Sequence, residues 1–149
     1  IIMDNSTTAM TGHQENPGTG YTVGQEAAPK VDLEQLVRSL GVKRVQVVDP
    51  YNLKNVEKVL REETAAEEAS VIIFKRPCVL LKGQQPTGGP VIFIEENCTE
   101  CGRCKRLGCP ALVFKTEKPT LDTSLCNNCG QCVQVCKFDA LRKVGGLIV

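Results

Sequence analysis

The sequence carries almost no excess charge: 18 Lys and Arg stand against 17 Asp and Glu, a formal net charge of +1. Binding to nucleic acid or to a membrane surface therefore has no electrostatic support. No apolar run approaches the ~20 residues needed to span a bilayer, and no signal peptide precedes the first polar residues. A soluble, cytoplasmic protein is the expectation. The chain starts Ile1-Ile2-Met3-Asp4, a short apolar strand with no leader and no natural start, and so reads as N-terminally truncated. Tryptophan is absent and aromatics make up 4 %, which is unremarkable for a small domain. At 149 residues there is room for one ordinary domain or two small ones.

Cysteine is what the chain has in quantity. Eight of its nine cysteines fall into two runs: Cys98, Cys101, Cys104 and Cys109 read C-x2-C-x2-C-x4-C-P, and Cys126, Cys129, Cys132 and Cys136 read C-x2-C-x2-C-x3-C. A cubane needs thiolates at three corners from one short loop, and two intervening residues let the backbone wrap from corner to corner. Gly102 and Gly130 follow the second cysteine of each run, where a residue without a Cβ allows a tight turn. Their matched placement makes the segment an internal repeat.

Two such runs resemble bacterial-type two-cluster ferredoxins, in which the fourth cysteine of each run crosses to the other cluster. The resemblance implies Cys98, Cys101, Cys104 and Cys136 at one 4Fe-4S centre, and Cys126, Cys129, Cys132 and Cys109 at the other. Zinc is the main alternative, since C-x2-C pairs also build tetrahedral sites, but two pairs suffice for zinc and a third short step has no purpose there. A disulfide framework is the other alternative, and triple C-x2-C steps suit it poorly. Cys78, in an apolar strand-like run, reads as a buried, inert thiol.

Ahead of the cysteines the pattern is strand, helix, strand, helix, strand. Ile1 to Met3 reads as the end of a buried strand, and 4–24 as a long loop dense in Gly, Thr, Asn and Pro. The stripe Leu33, Leu36, Val37, Leu40 predicts a helix with Asp32 as N-cap and Gly41 as its stop. A strand over 42–48 follows, then a helix from Asn52 or Leu53 into the Glu-rich stretch, then a strand over 70–81. This is the α/β order of a parallel sheet covered by helices. Residues 82–90, rich in Gly, Gln and Pro, read as a linker between a domain of residues 1–81 and an α+β, ferredoxin-like domain of residues 91–149. In the latter a strand at 91–94 should pair with one near 141–143, and a helical turn should follow each cysteine loop.

The run from Asp4 to Gln14, Asp-Asn-Ser-Thr-Thr-Ala-Met-Thr-Gly-His-Gln, resembles the cofactor loop of thiamine-diphosphate enzymes in the 2-oxoacid:ferredoxin oxidoreductase superfamily. Cofactor loop, short α/β tail, Arg-Pro-Cys strand and two cysteine runs, in that order, resemble the alpha subunit of indolepyruvate:ferredoxin oxidoreductase, over nearly the whole chain but only the C-terminal part of that longer subunit. The resemblance implies that residues 1–81 are the C-terminal part of a thiamine-diphosphate-binding α/β domain. It also implies that the Asn5 side-chain oxygen and the Thr7 carbonyl are Mg2+ ligands, an ion that takes oxygen donors and phosphates, with Thr11 and Gly12 near the diphosphate. The family's further acidic Mg2+ ligand would lie upstream of Ile1.

By the same resemblance the reaction is oxidative decarboxylation of an aryl 2-oxoacid such as indole-3-pyruvate to an aryl-acetyl-CoA. Single electrons would leave through the two clusters to an external ferredoxin, and coenzyme A and a beta subunit would be partners. His13 stands where related pyruvate-type enzymes have Gly. It reads either as a catalytic group able to exchange a proton near neutral pH or as a solvent-exposed loop residue. Two departures from simple ferredoxins stand out: Lys137, not Pro, follows Cys136, and the first run has four residues before its last cysteine, so its loop must bulge. The alternative function is a non-catalytic two-cluster electron-transfer module, or the same chemistry on pyruvate or another 2-oxoacid.

Overall fold

The computed structural model describes residues 1–7, 14–81, 83 and 89–145. It divides into two compact units, Ile1–Gln84 and Gln85–Val149. Thr11, Gly12 and His13 lie outside the described residues, as does most of the expected linker.

The first unit is a three-stranded parallel sheet with a helix on each face. Its elements are β1 (Ile2–Asp4), α1 (Leu33–Ser39), β2 (Arg44–Val48), α2 (Leu53–Thr64) and β3 (Ser70–Lys75), with strand order β1-β3-β2. The helices start where the sequence offers caps. The Asp32 carboxylate accepts the Gln35 N–H at 3.0 Å, and the Asn52 side chain accepts the Asn55 N–H at 3.1 Å. Each satisfies an amide that has no partner within the helix. Gly41, at φ +89°, ends the first helix in the left-handed conformation that glycine adopts without penalty.

Alternation along the central strand β3 sends successive residues to opposite faces. Ile73 and Val71 pack with Val37 and Leu33 of α1 and Val45 of β2. Ile72 and Phe74 pack with Val56, Val59 and Leu60 of α2 and Val48 of β2. The strand is shorter than its apolar run predicts, and the cause is Pro77, which has no N–H for a ladder. Val79 and Leu80 are exposed, and Cys78, expected buried, is only half-buried. Beyond β3 the chain still follows β1, because the Arg76 and Cys78 amides donate to the Asp4 and Asn5 carbonyl oxygens, both at 2.9 Å.

Among the described residues one buried charge sits in this unit. Glu63 of α2 is 5 % exposed and receives Arg44 Nε at 2.9 Å, Arg44 Nη2 at 3.0 Å and Gln46 Nε2 at 3.2 Å. Arg44 and Gln46 alternate to the same face of β2, so the fork grips the carboxylate from the sheet below. The Arg44 hydrogen bond holds the Glu63 carboxyl below its ordinary range, and the Glu63 hydrogen bond raises Arg44.

The second unit holds β4 (Val91–Phe93), β5 (Leu112–Phe114), β6 (Pro119–Leu121), α3 (Gln131–Val135) and β7 (Leu141–Lys143). β4 pairs antiparallel with β7, Val91 opposite Lys143, and β5 with β6, Leu112 opposite Leu121. The first pair joins the ends of the unit as the sequence predicts; the β5–β6 hairpin was not foreseen. Val91, Leu112, Cys132 and Leu141 form a small buried core, with most of the other cysteines packed against it.

Because Glu63 ionises more readily in the fold than in the unfolded chain, its contribution is present above the ordinary carboxylate pKa and is lost as pH falls through the lowered folded value. Glu63→Gln should therefore lower the urea unfolding midpoint of the first unit at pH 7, and the two proteins should converge in acid. A separation that stays constant down to pH 3 would mean that the ionised pair is not its source.

Candidate functional site

The internal repeat is repeated in backbone conformation as well as in sequence. In the first run Glu100 and Gly102 take φ +59° and +68°, and in the second Asn128 and Gly130 take +55° and +76°. A left-handed residue before and after the second cysteine turns each loop inward, so that its three cysteines border one hollow. Beyond the loops the halves differ. In the second run α3 carries Cys132 and delivers the chain directly to Cys136. In the first, a 3-10 turn over Lys105–Leu107 ends at Gly108, φ +66°, before Cys109. The extra residue of the first run is absorbed there, which is the bulge that the longer spacing requires.

Two cavities result. One is bordered by Cys98, Cys101, Cys104 and Cys136, with Phe93, Pro119 and Leu141 among its walls. The other is bordered by Cys109, Cys126, Cys129 and Cys132, with Val91, Leu112 and Leu121. Each thus receives three cysteines from one run and one from the other. The fourth cysteine crosses because the strand that follows it pairs across the unit.

Within each quartet the sulfurs act on one another electrostatically. Burial pushes the Cys132 thiol up to about 11, and the neighbouring sulfurs of Cys129, Cys109 and Cys126 push the same way. Cys104 is raised by burial and by Cys101, Cys136 and Cys98. Four thiolates cannot gather in an apolar hollow without a compensating positive charge. Among the described residues no group of three or more His, Cys, Asp or Glu is placed to hold a metal ion. Each quartet borders a hollow, in which separate corners of a multi-iron cluster would each find a sulfur. Asn128 ties the second loop to the sheet, its Oδ1 accepting the Val91 N–H at 3.1 Å.

In the first unit, the loop after β1 leaves the carboxyl edge of the parallel sheet, where open α/β sheets bind ligands. Asp4 Oδ1 accepts the Ser6 N–H at 3.0 Å and Asn5 Oδ1 the Thr7 N–H at 3.2 Å. These two side-chain caps hold Ser6 at φ +59°. Asp4, Asn5 and Thr7 face an open cleft whose far side is Asn16, Gly18 and Leu36. The oxygen donors gathered here, carboxylate, carboxamide and backbone carbonyl, are of the kind Mg2+ takes. Asp4 and Asn16 were not singled out from the sequence. On the same edge Arg76 Nη1 meets Asp49 Oδ2 at 2.6 Å and its guanidinium lies 4.0 Å over the Tyr51 ring. Among the described residues no helix is long and apolar enough to cross a membrane.

Residues 1–74 match the family described as thiamine pyrophosphate enzyme, C-terminal TPP binding domain, and residues 119–142 match the 4Fe-4S binding domain. Among curated proteins, the chain is 40 % identical over 146 residues to the indolepyruvate oxidoreductase subunit IorA of Archaeoglobus fulgidus, with 95 % of this chain and 23 % of that protein covered. It is 39 % identical over 152 residues to the subunit of the same name from Pyrococcus horikoshii, covering 97 % and 23 %. With that from Methanothermobacter thermautotrophicus it shares 35 % over 146 residues, covering 97 % and 24 %. The chain spans about a quarter of the length of these relatives.

The matched left-handed glycines give a direct test of the loop geometry. A Cβ on Gly102 would meet nothing within 4 Å, and one on Gly130 would meet only the flexible end of Lys143, its Cε at 2.6 Å. Alanine at either position should therefore cost only the backbone strain, about 1–2 kcal/mol, and asparagine should cost less. Chemical denaturation of the four variants measures this, and a much larger loss at Gly130 than at Gly102 would contradict it.

Proposed function

Because the chain belongs to the family of the indolepyruvate oxidoreductase subunit IorA, we propose that it serves a 2-oxoacid:ferredoxin oxidoreductase as the segment joining part of the thiamine site to the electron exit. The observation that carries this reading is the pair of cavities, each bordered by four cysteines drawn from both runs. Cys98, Cys101, Cys104 and Cys136 hold one 4Fe-4S centre in this reading, and Cys126, Cys129, Cys132 and Cys109 hold the second.

When bound, thiamine diphosphate supplies the carbanion chemistry of 2-oxoacid decarboxylation, and 4Fe-4S centres supply one-electron transfer. The chain's own residues bind and orient. Asn5 Oδ1 and the Thr7 carbonyl serve the Mg2+ of the diphosphate, with Asp4 shaping the turn beside them. By the family pattern Thr11 and Gly12 serve the diphosphate, and His13 exchanges a proton near the reacting carbon. The apolar walls of the two cavities keep water from the centres. The finer reading is an aryl substrate, indole-3-pyruvate, turned over in the cytoplasm with coenzyme A, a beta subunit and external ferredoxin.

Two experiments test the reading. Cys136→Ser and Cys109→Ser should each remove one centre and leave the other, lowering iron from about eight to about four per chain. EPR should show a different surviving centre in each variant, and loss of both signals from either variant would contradict the crossed assignment. In the complete enzyme assembled with its beta subunit, Asn5→Ala should weaken Mg2+-thiamine diphosphate at least about tenfold, and indole-3-pyruvate should be turned over faster than pyruvate. A preference for pyruvate would overturn the aryl substrate. Unchanged decarboxylation by His13→Ala would remove that residue from the mechanism.

A further inference from the structure

The two quartets differ in their access to solvent. Cys101 of the first is exposed, whereas Cys132 of the second is buried. Beside Cys101 runs an open groove whose rim is Arg103, Arg106 and Lys137 and whose half-buried floor includes Leu107 and Val135. All three cations are exposed, and no acidic side chain lines the groove among the described residues. Glu100 and Glu117 border the cavity of the first quartet instead. The chain as a whole is nearly neutral, with a net charge of +1, so this is a local concentration of positive charge and not the reflection of a basic protein.

The trio is assembled by the crossing of the cysteines. Arg103 and Arg106 flank Cys104 in the first run. Lys137 belongs to the second and stands where simple ferredoxins carry Pro. It reaches the first quartet because Cys136, its neighbour, does. Lysine is depleted from the cores of interfaces, and exposed complementary charge acts mainly to speed and orient encounters. A cationic rim around a small apolar floor therefore suits transient docking better than permanent burial.

We infer that the Arg103–Arg106–Lys137 groove is the docking surface for an acidic one-electron carrier protein, and that the centre of Cys98, Cys101, Cys104 and Cys136 is where electrons leave. The inference rests on the two-centre reading above. At each encounter one electron leaves the reduced first centre, which is oxidised, and one centre of the carrier is reduced. The acidic face of the carrier lies on the cations, and its apolar contact patch meets Leu107 and Val135 next to Cys101.

The test is titration of the iron-loaded chain with an oxidised, acidic bacterial-type ferredoxin over a range of salt concentrations, beside stopped-flow oxidation of the reduced chain by the same probe. Arg106→Glu/Lys137→Glu should weaken binding and slow oxidation by about tenfold or more and flatten the salt dependence, since steering of this kind contributes 10- to 1,000-fold. Lys115→Glu, a single charge reversal on the same unit outside the groove, should leave both unchanged, whereas Lys137→Glu alone, the same change inside the groove, should weaken both. Methyl viologen, which needs no docking surface, should oxidise all the proteins at the same rate at high salt, where its own charge is screened. Equal affinity and equal salt slope in wild type and double variant, with iron content intact, would overturn the docking surface. Should the double reversal lose iron, Arg106→Gln read the same way decides, with a smaller expected loss in the same direction. A wild-type chain that takes up no iron would defeat the two-centre reading itself, and iron content tells that failure apart before any titration.

Discussion

Each half of the cysteine repeat can bring three sulfurs to one cavity and must send its fourth to the other. Neither half can then complete its own site, so the two must fold together. The strand pairings express the same dependence: β4 from the start of the first half pairs with β7 from the end of the second, and β5 and β6 pair across the middle. The apolar core between them is small, with Val91, Leu112 and Leu141 as its main members. A unit of this size with so little buried hydrocarbon depends on what fills its cavities. Burial and neighbouring sulfurs raise the Cys104 and Cys132 thiols, so an empty cavity resists forming the thiolates that a cluster requires. A cluster bound there would relieve that resistance and link metal uptake to folding.

The first unit solves a different problem. Its parallel sheet carries a helix on each face, and its polar residues collect where the strands end: Asp4 and Asn5 at the end of β1, Asp49 after β2, Arg76 after β3. Pro77 breaks the ladder of β3 yet leaves the Arg76 and Cys78 amides bonded to the carbonyls of Asp4 and Asn5. The loop that carries Asn5 is thereby fastened along its backbone on one side, and its side-chain caps shape the turn on the other. A ligand held by oxygen donors at this edge would meet a preset conformation and not one it must impose. The same economy runs through the second unit, where one crossing brings a fourth cysteine to the first cavity and a surface cation beside it.

Local signals carried much of this into the sequence. Asp32 and Asn52 announced their helices because a cap and an apolar stripe act within a few residues, and Gly41 announced a stop for the same reason. The cysteine quartets were legible because the distance between cubane corners sets the spacing of ligands on one loop. The β5–β6 hairpin was missed: each strand has three residues, one opens with proline, and neither shows a sustained alternation. The run after Ile73 read as strand to residue 81 because hydrophobicity outweighed the veto of Pro77. Glu63 was invisible as a buried ion, since its partners Arg44 and Gln46 lie on another element and only the sheet brings them beneath it. The grouping of Arg103, Arg106 and Lys137 was equally hidden, although Lys137 itself stood out as a departure from the ferredoxin pattern.

The proposal on which the rest depends is that the two cysteine-lined cavities hold two iron-sulfur centres. Its most direct test is to purify the chain anaerobically, measure iron, acid-labile sulfide and zinc per polypeptide, and record an EPR spectrum after dithionite reduction. Two filled cavities should give about eight irons and eight sulfides, with the interacting signals of two reduced 4Fe-4S centres. Stoichiometric zinc without labile sulfide would contradict it.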